Sequence, residues 1–314
     1  MKPARGIFRQ MRNLLPVCSL LAVIGAIAYL NPHAVSYFGF NLMLGLGLPI
    51  VLATLAQMFV ILSGDLDLSI GAFISFSACV AATWLNETPL LGWATLLTGV
   101  LAYAAVGALI SLRSLPSIVV TLGMSFVWQG LALLVLSKPG GAAPGWLVGL
   151  FAWQPPILPL SVIGSLCAAL VCHIFLIRSD YGVILRGSGG NATAVSRAGW
   201  SLLKVKVVLY ALAGLLGVLS SLALIGVATS ADPNIGAGYT LLSIAGVILG
   251  GGAFTGGIVS PVGAVVGAVT LTLASSPLLT FLNVPPDWQI GANGALLIGV
   301  LAIRSLVVRR EPLT

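Results

Sequence analysis

Two acidic residues stand almost alone in an apolar setting, in the run Ile61-Leu62-Ser63-Gly64-Asp65-Leu66-Asp67-Leu68-Ser69-Ile70-Gly71. A charge at the centre of a bilayer costs on the order of 3 kcal/mol even on insertion scales, so Asp65 and Asp67 must lie near an interface, a wet cavity or a basic partner. Two compatible roles suit them: starting a following helix, with Asp67 or Ser69 as the cap, or forming part of a gate or pathway. A second polar set is Thr121, Ser125 and Gln129, spaced by four and therefore on one helical face. That stripe either packs against a neighbouring helix or, with Asn293, faces a lumen. A third is the segment Gly187 to Trp200, where Asn191 can cap a short helix through Ala198 and Gly199 can end it. Such a helix has the right shape to dock into a cleft on a soluble partner, or to lie on the membrane surface.

None of these sets is catalytic. A phosphate-cradling GxxxxGK[ST] loop is absent, because none of Lys2, Lys138, Lys204 and Lys206 precedes Ser or Thr. His33 and His173 are isolated, and Cys18, Cys79, Cys167 and Cys172 lie in apolar runs without metal-ligand spacing. The expectation is a chain with no catalytic residue, no metal and no cofactor of its own. Its excess of positive charge is scattered between apolar stretches, which argues against a nucleic-acid surface.

The elements that must position these residues are set by composition. Hydrophobic residues make up 59% of the 314 positions and charged residues 7%, against roughly 25% charged in a soluble domain. Lipid-facing backbone must satisfy its own hydrogen bonds, which leaves helices or closed barrels. Continuous apolar runs of about 20 residues match helices crossing a layer of roughly 30 Å. The expected fold is all-α and polytopic, with about ten transmembrane helices and both termini cytoplasmic.

Spans are expected at 14–30, 41–62, 66–85, 90–112, 117–136, 160–177, 205–228, 241–252, 258–275 and 288–303. A basic tail at 1–12 precedes the first span, in a pattern shared by signal peptides and anchors. Ala26 and Ala28 resemble a cleavage site, but an uncleaved anchor is the reading that gives the bundle its first span. A single transmembrane domain is then expected to cover 13–303, with a cytoplasmic segment at 178–206, and a cytoplasmic tail at 304–314. Alternating the spans from a cytoplasmic amino terminus puts 13 of the 14 Lys and Arg residues inside and only Lys138 outside, as the positive-inside rule demands. The eighth span is short beside Gly250-Gly251-Gly252, a break tolerated only inside protein or beside a wet cavity. The pairs Gly246/Gly250, Gly252/Gly256 and Gly263/Gly267 suggest close helix packing.

At these residues the sequence resembles the membrane permease subunits of ABC importers for simple sugars such as ribose, xylose and galactose, a family related to branched-chain amino acid permeases. Ile61 to Gly71 is similar to that family's ILSGGIDLSVG run. Further marks are Val120-Thr121-Leu122-Gly123 with Gly130, Gly189-Gly190-Asn191 with Ala194 and Gly199, and Gly236 to Tyr239 leading to Gly250-Gly251. The similarity extends from about Gly45 to Ile303.

The resemblance implies a bacterial inner-membrane permease that carries a small polar solute, a monosaccharide above all. A periplasmic binding protein delivers the solute, and separate ABC ATPase subunits use ATP and Mg. By its terms Gly189, Gly190, Asn191, Ala194, Arg197 and Gly199 couple to the ATPase, while Asp65, Asp67, Ser69, Thr121, Ser125, Gln129 and Asn293 belong to the pathway or its gates. A second permease completes the pathway. Gln129 stands where the family usually has Arg, Ala192 and Thr193 where acids are common, and Thr240 and Leu242 where Glu and Asp are often found. These lost charges suggest a different permease as the partner. Competing readings are an ion-coupled secondary transporter using Asp65 or Asp67, a branched-chain amino acid permease, and a membrane scaffold that transports nothing.

Overall fold

The computed structural model describes residues 2–285 and the positions 288, 291, 292, 294, 295, 298, 299 and 302. Asn293, the tail 304–314 and most of the expected tenth span lie outside the described residues. The described chain is α-helical: α1 (Lys2–Leu30), α2 (Tyr37–Met43), α3 (Gly47–Leu62), α4 (Ile70–Glu87), α5 (Pro89–Arg113), α6 (Ser117–Val135), α7 (Gly145–Ala152), α8 (Leu160–His173), α9 (Asp180–Gly190), α10 (Ala192–Arg197), α11 (Leu202–Ala228), α12 (Tyr239–Leu249) and α13 (Pro261–Phe281). Among the described residues six helices are long and apolar enough to cross a membrane, or seven if the bent pair α2 and α3 counts as one span. The chain is an all-α polytopic membrane protein.

Helix ends follow local chemistry. Pro89 and Pro261 open α5 and α13, where the missing N–H costs nothing. The hydroxyls of Ser179, Ser201 and Ser260 accept from the backbone of Gly182, Lys204 and Gly263 at the starts of α9, α11 and α13, a cap whose loss typically costs about 1 kcal/mol.

Helix α3 is the axis of the bundle, with every residue from Gly47 to Leu62 buried. It is wrapped by α11, α12, α13 and α8, while α11 also packs on α4 and α5. Helices α5 and α6 sit outside and turn large apolar side chains outward, among them Leu97, Phe126 and Leu134. That inside-out distribution suits a hydrocarbon solvent, in which exposed Leu and Phe carry no penalty.

Nine of the expected spans coincide with helical segments, with three corrections. The second is bent by 50° between Met43 and Gly47. The third begins at Ile70 and not Leu66, because 63–69 is a non-helical turn and loop. The helix holding the first span begins at Lys2, so residues 2–12 continue it. Two of the three glycine pairs join α12 to α13: a Cβ on Gly250 would strike the backbone of Gly263, and one on Gly267 the carbonyl of Gly246. Gly252 and Gly256 instead lie in the connection after α12 and pair no helices.

Candidate functional site

The loop between α3 and α4 is built around its two acids. Helix α3 stops at Leu62, Gly64 reverses the chain at φ +80°, and the next residues form a non-helical loop that bends into α4 at Ser69. The Asp65 carboxylate pairs with Lys206 Nζ of α11 at 2.9 Å. It also accepts from Ser63 Oγ at 3.0 Å and Tyr210 OH at 3.3 Å. Among the described residues this is the only ion pair. A cleft of about 340 Å³ opens beside it, lined by Ser63, Ser111, Ser114, Ser188 and Lys206.

Asp67 is fully buried and has no cation; hydrogen bonds take its place. Oδ1 accepts from the Ser69 backbone N–H at 2.7 Å and from Ser69 Oγ at 2.6 Å, and Oδ2 accepts from Tyr103 OH at 2.9 Å. The N-terminal end of α4, just beyond, adds a favourable partial positive charge. The backbone of Asp67 is met by the buried amide of Gln57, oriented so that it donates to the Asp67 carbonyl and accepts from its N–H, both at 3.2 Å. A buried carboxylate without donors would cost several kcal/mol, so this network fixes the loop in one conformation. Ser69 occupies the cap position of α4 but makes no side-chain bond to that helix; its hydroxyl serves Asp67 instead.

Helix α6 clasps the same loop. Thr121 Oγ1 accepts from Leu68 N at 3.1 Å and lies 3.2 Å from Leu66 O, while Ser117 Oγ accepts from Leu66 N at 3.3 Å. The structure does not unite Thr121, Ser125 and Gln129. Ser125 bonds only the Leu122 carbonyl of its own helix, and Gln129 Nε2 donates to Pro233 O at 3.1 Å and Asn234 Oδ1 at 3.0 Å.

The connection after α11 runs alongside α4, with Ala231, Pro233 and Gly236 buried. Ala231 and Gly140 exchange backbone hydrogen bonds while Ala142 N donates to Ala82 O near the end of α4. Farther on, Gly236 N donates to Ser75 Oγ, and Thr240 Oγ1 accepts from Gly71 N in the first turn of α4. Gly71 to Ala82 spans about 16 Å of helix, so α12 is short because non-helical chain has already covered the upper half of the path. The expectation had placed the irregularity only at the glycines after the eighth span. Buried protein neighbours make such backbone tolerable.

Segment 187–200 holds the short helix α10, with Asn191 Oδ1 accepting from Ala194 N at 2.9 Å and Gly199 at φ +87°. No residue of α10 is buried. Gly189 and Gly190 belong to the end of α9, and Gly189 faces inward. A Cβ on Gly189 would strike the Leu62 carbonyl and the Gly257 N–H, while Gly256 (φ +80°) and Gly257 (φ +72°) press on Gly64, Gly189 and Gly190. Gly257 N also donates to Leu62 O at 2.9 Å. The ends of α3 and α9 and the α12–α13 connection therefore meet backbone to backbone, with no side chain between them to give way.

Sequence reasoning missed Gln57, Tyr103, Lys206 and Tyr210 as members of this site. Their signal was present: a tyrosine hydroxyl or a glutamine inside a long apolar span demands a partner. Among the described residues no group of three or more His, Cys, Asp or Glu could hold a metal ion.

Comparison with known proteins bears on all of these residues. The family model described as branched-chain amino acid transport system / permease component matches residues 39–301. The chain is 29% identical over 303 residues to the probable ABC transporter permease protein y4mJ of Sinorhizobium fredii, covering 92% of this chain and 90% of that one. It is 27% identical over 303 residues to the autoinducer 2 import system permease protein LsrC of Salmonella typhi, covering 93% and 84%. It is 27% identical over 300 residues to the ribose import permease protein RbsC of Escherichia coli, covering 93% and 88%. No solved structure matches it.

Proposed function

Because this chain belongs to the family of permease components of branched-chain amino acid transport systems, we propose that it is the membrane-spanning subunit of an ATP-driven importer for a small polar solute, a monosaccharide or a similar polyol. Relatives named for ribose and autoinducer 2 import support a sugar-like cargo over an amino acid. A periplasmic binding protein supplies the solute and separate ABC ATPase subunits consume ATP and Mg.

In this reading the chain has ten spans. They are the seven candidates, the apolar part of α1, the half-length α12 and the stretch 288–303. The basic loops face the cytoplasm of a bacterium, across its inner membrane. The domain covers 13–303, with 178–206 as its coupling segment.

The observation that carries the proposal is an exposed helix on a stiff mount. Helix α10 presents Asn191, Ala194, Arg197 and Gly199 to a soluble partner, while Gly189 and Gly190 join it to the glycine contact described above. A partner that moves α10 moves the end of α9, and through backbone contact the ends of α3 and α13, which are the walls of the bundle. Alternating access then needs only that ATP binding and release favour two arrangements of those walls. Asp65 with Lys206, and Asp67 with Ser69 and Tyr103, act as latches on the cytoplasmic side. Thr121 clasps that loop, and Gln129, with Ser125 one turn away, serves the opposite gate. The serine-lined cleft has the hydroxyl and ammonium groups that suit a polyhydroxylated solute leaving on this side.

An ion-coupled carrier would need a free acid, whereas Asp65 is matched by Lys206 and Asp67 is enclosed by three donors. The permease partner is read as a different chain because Ala192 and Thr193 lack the acids common at the docking segment. Gln129 and Thr240 lend that pairing no support, since each has a neutral partner here.

The test is reconstitution in liposomes with the ATPase, the binding protein and labelled ribose. Uptake is expected only with hydrolysable ATP, and Arg197→Glu is expected to lower uptake and ATPase co-purification at least tenfold with unchanged membrane insertion. Nucleotide-independent uptake by the chain alone defeats the proposal, and an active transporter with two copies of this chain and no other permease defeats the mixed pairing.

A further inference from the structure

A groove between α9 and the start of α11 lies apart from the loops and latches above. It encloses about 440 Å³ and is lined by Tyr181, Ile184, Trp200, Leu203, Lys204 and Val208 among others. The rings of Tyr181 and Trp200 meet edge to face at 5.6 Å, and both are largely exposed.

The groove continues a lipid-facing surface. On α11 the residues Val205, Leu209, Tyr210 and Ala213 are buried, while Lys204 is exposed and Val208, Leu215 and Leu219 follow on the outward side with large exposed apolar areas. Tyrosine and tryptophan pair naturally with the headgroup layer, where an apolar ring body and a polar edge are both solvated. Lys204 at the rim is outside the one ion pair found among the described residues. Exposed Arg178 and Arg197 add positive charge at this end, against Asp180 as the only acid there, among the described residues, not already engaged or buried.

We propose that this groove binds an anionic phospholipid, with an acyl chain along the Tyr181–Trp200 pair and α11 and the headgroup phosphate at Lys204. An apolar trough opening onto bilayer, an aromatic pair at headgroup depth and an unmatched ammonium at its mouth fit that one ligand class. The site borders the coupling segment of the proposed function, since α9 also carries Gly189. The proposal needs the spanning helices, but not the solute or the ATPase.

The test uses the full-length chain in phosphatidylcholine liposomes titrated with lipid brominated on its acyl chains. The Trp200 contribution is wild type minus Trp200→Phe. Half-maximal quenching is expected at roughly fivefold lower mole fraction for brominated phosphatidylglycerol than for brominated phosphatidylcholine, the preference that one lysine confers near a charged surface. Lys204→Gln should erase that preference. Equal curves in the wild type would mean an ordinary bilayer-facing surface and overturn the site, and absence of Trp200 quenching by either lipid would mean that protein covers the groove and also overturn it. Native mass spectrometry supplies a readout independent of Trp200: wild type should retain added phosphatidylglycerol several-fold better than Lys204→Gln, and equal retention overturns the proposal.

Discussion

At one end of the bundle, three connections press together through Gly64, Gly189, Gly256 and Gly257, and the ion pair and the buried Asp67 sit against them. At the other end, the connections around Gly140, Ala142 and Ala231 are tied by neutral hydrogen bonds and by Gln129, with Gly141 on Ala82 as a close backbone approach. The first end has no compressible side chain in its joint and holds charges that demand fixed partners. The second is tied by neutral hydrogen bonds, each of which exchanges for water at small net cost. Under the proposed function, a push on α10 would cross the first end with little loss, and the second end would be the one to open.

That contrast breaks most easily at Gly189. Gly189→Val puts side-chain atoms onto backbone, which should cost at least about 3 kcal/mol and reduce ATP-dependent uptake more than about tenfold. Gly140→Ala meets nothing closer than the Lys138 carbonyl at 3.9 Å, an ordinary contact, and should change thermal stability by less than about 0.5 kcal/mol. Comparable melting temperatures for the two variants would remove the distinction between the ends.

The ion pair is the next lever. Asp65→Ala strands Lys206, and because both side chains keep some solvent access the expected loss is about 2 kcal/mol, below the full cost of breaking a buried pair. The double variant Asp65→Ala with Lys206→Met should recover part of it in a double-mutant cycle. Strict additivity would show that the pair contributes nothing to the joint.

Tyr103→Phe removes one donor from the Asp67 carboxylate and leaves Oδ2 short of a partner, for a loss of about 1–2 kcal/mol in denaturation measured in detergent. A small effect also belongs to a side chain of the open end. Gln129→Ala gives up two neutral bonds at a partly exposed position and should cost about 1 kcal/mol or less, a value that sharpens the contrast if it stays below that of Tyr103→Phe.

Much of the frame was legible in the chain. Apolar run length located nine helical segments to within a few residues, and Asn191 with Gly199 bounded α10 because caps act over three or four residues. The site was legible only in part. Asp65, Asp67 and Thr121 announced themselves as polar groups in apolar surroundings, but their partners Lys206, Tyr103 and Leu68 come from different elements, 141, 36 and 53 residues away. The stripe Thr121, Ser125 and Gln129 was correct as helical geometry. Its members have separate partners in the fold, because positions two turns apart on one helix meet different neighbours along its length.

The short eighth span shows the same limit. Glycine-rich sequence marked its end, but nothing local marked the descent of 231–238 beside α4, since turn backbone is written in the same small residues whether it lies on a surface or within a bundle.

By itself the sequence determined the solvent of this protein, the helical solution to backbone hydrogen bonding in that solvent, and the local stops and caps. All of these depend on composition and on residues within one or two turns of each other. Tertiary structure alone decided which hydroxyls and which ammonium satisfy the two acids, and which glycines face backbone and which face open space. Those outcomes depend on how helices far apart in the chain are rotated and staggered against each other, which spacing along a single helix cannot encode.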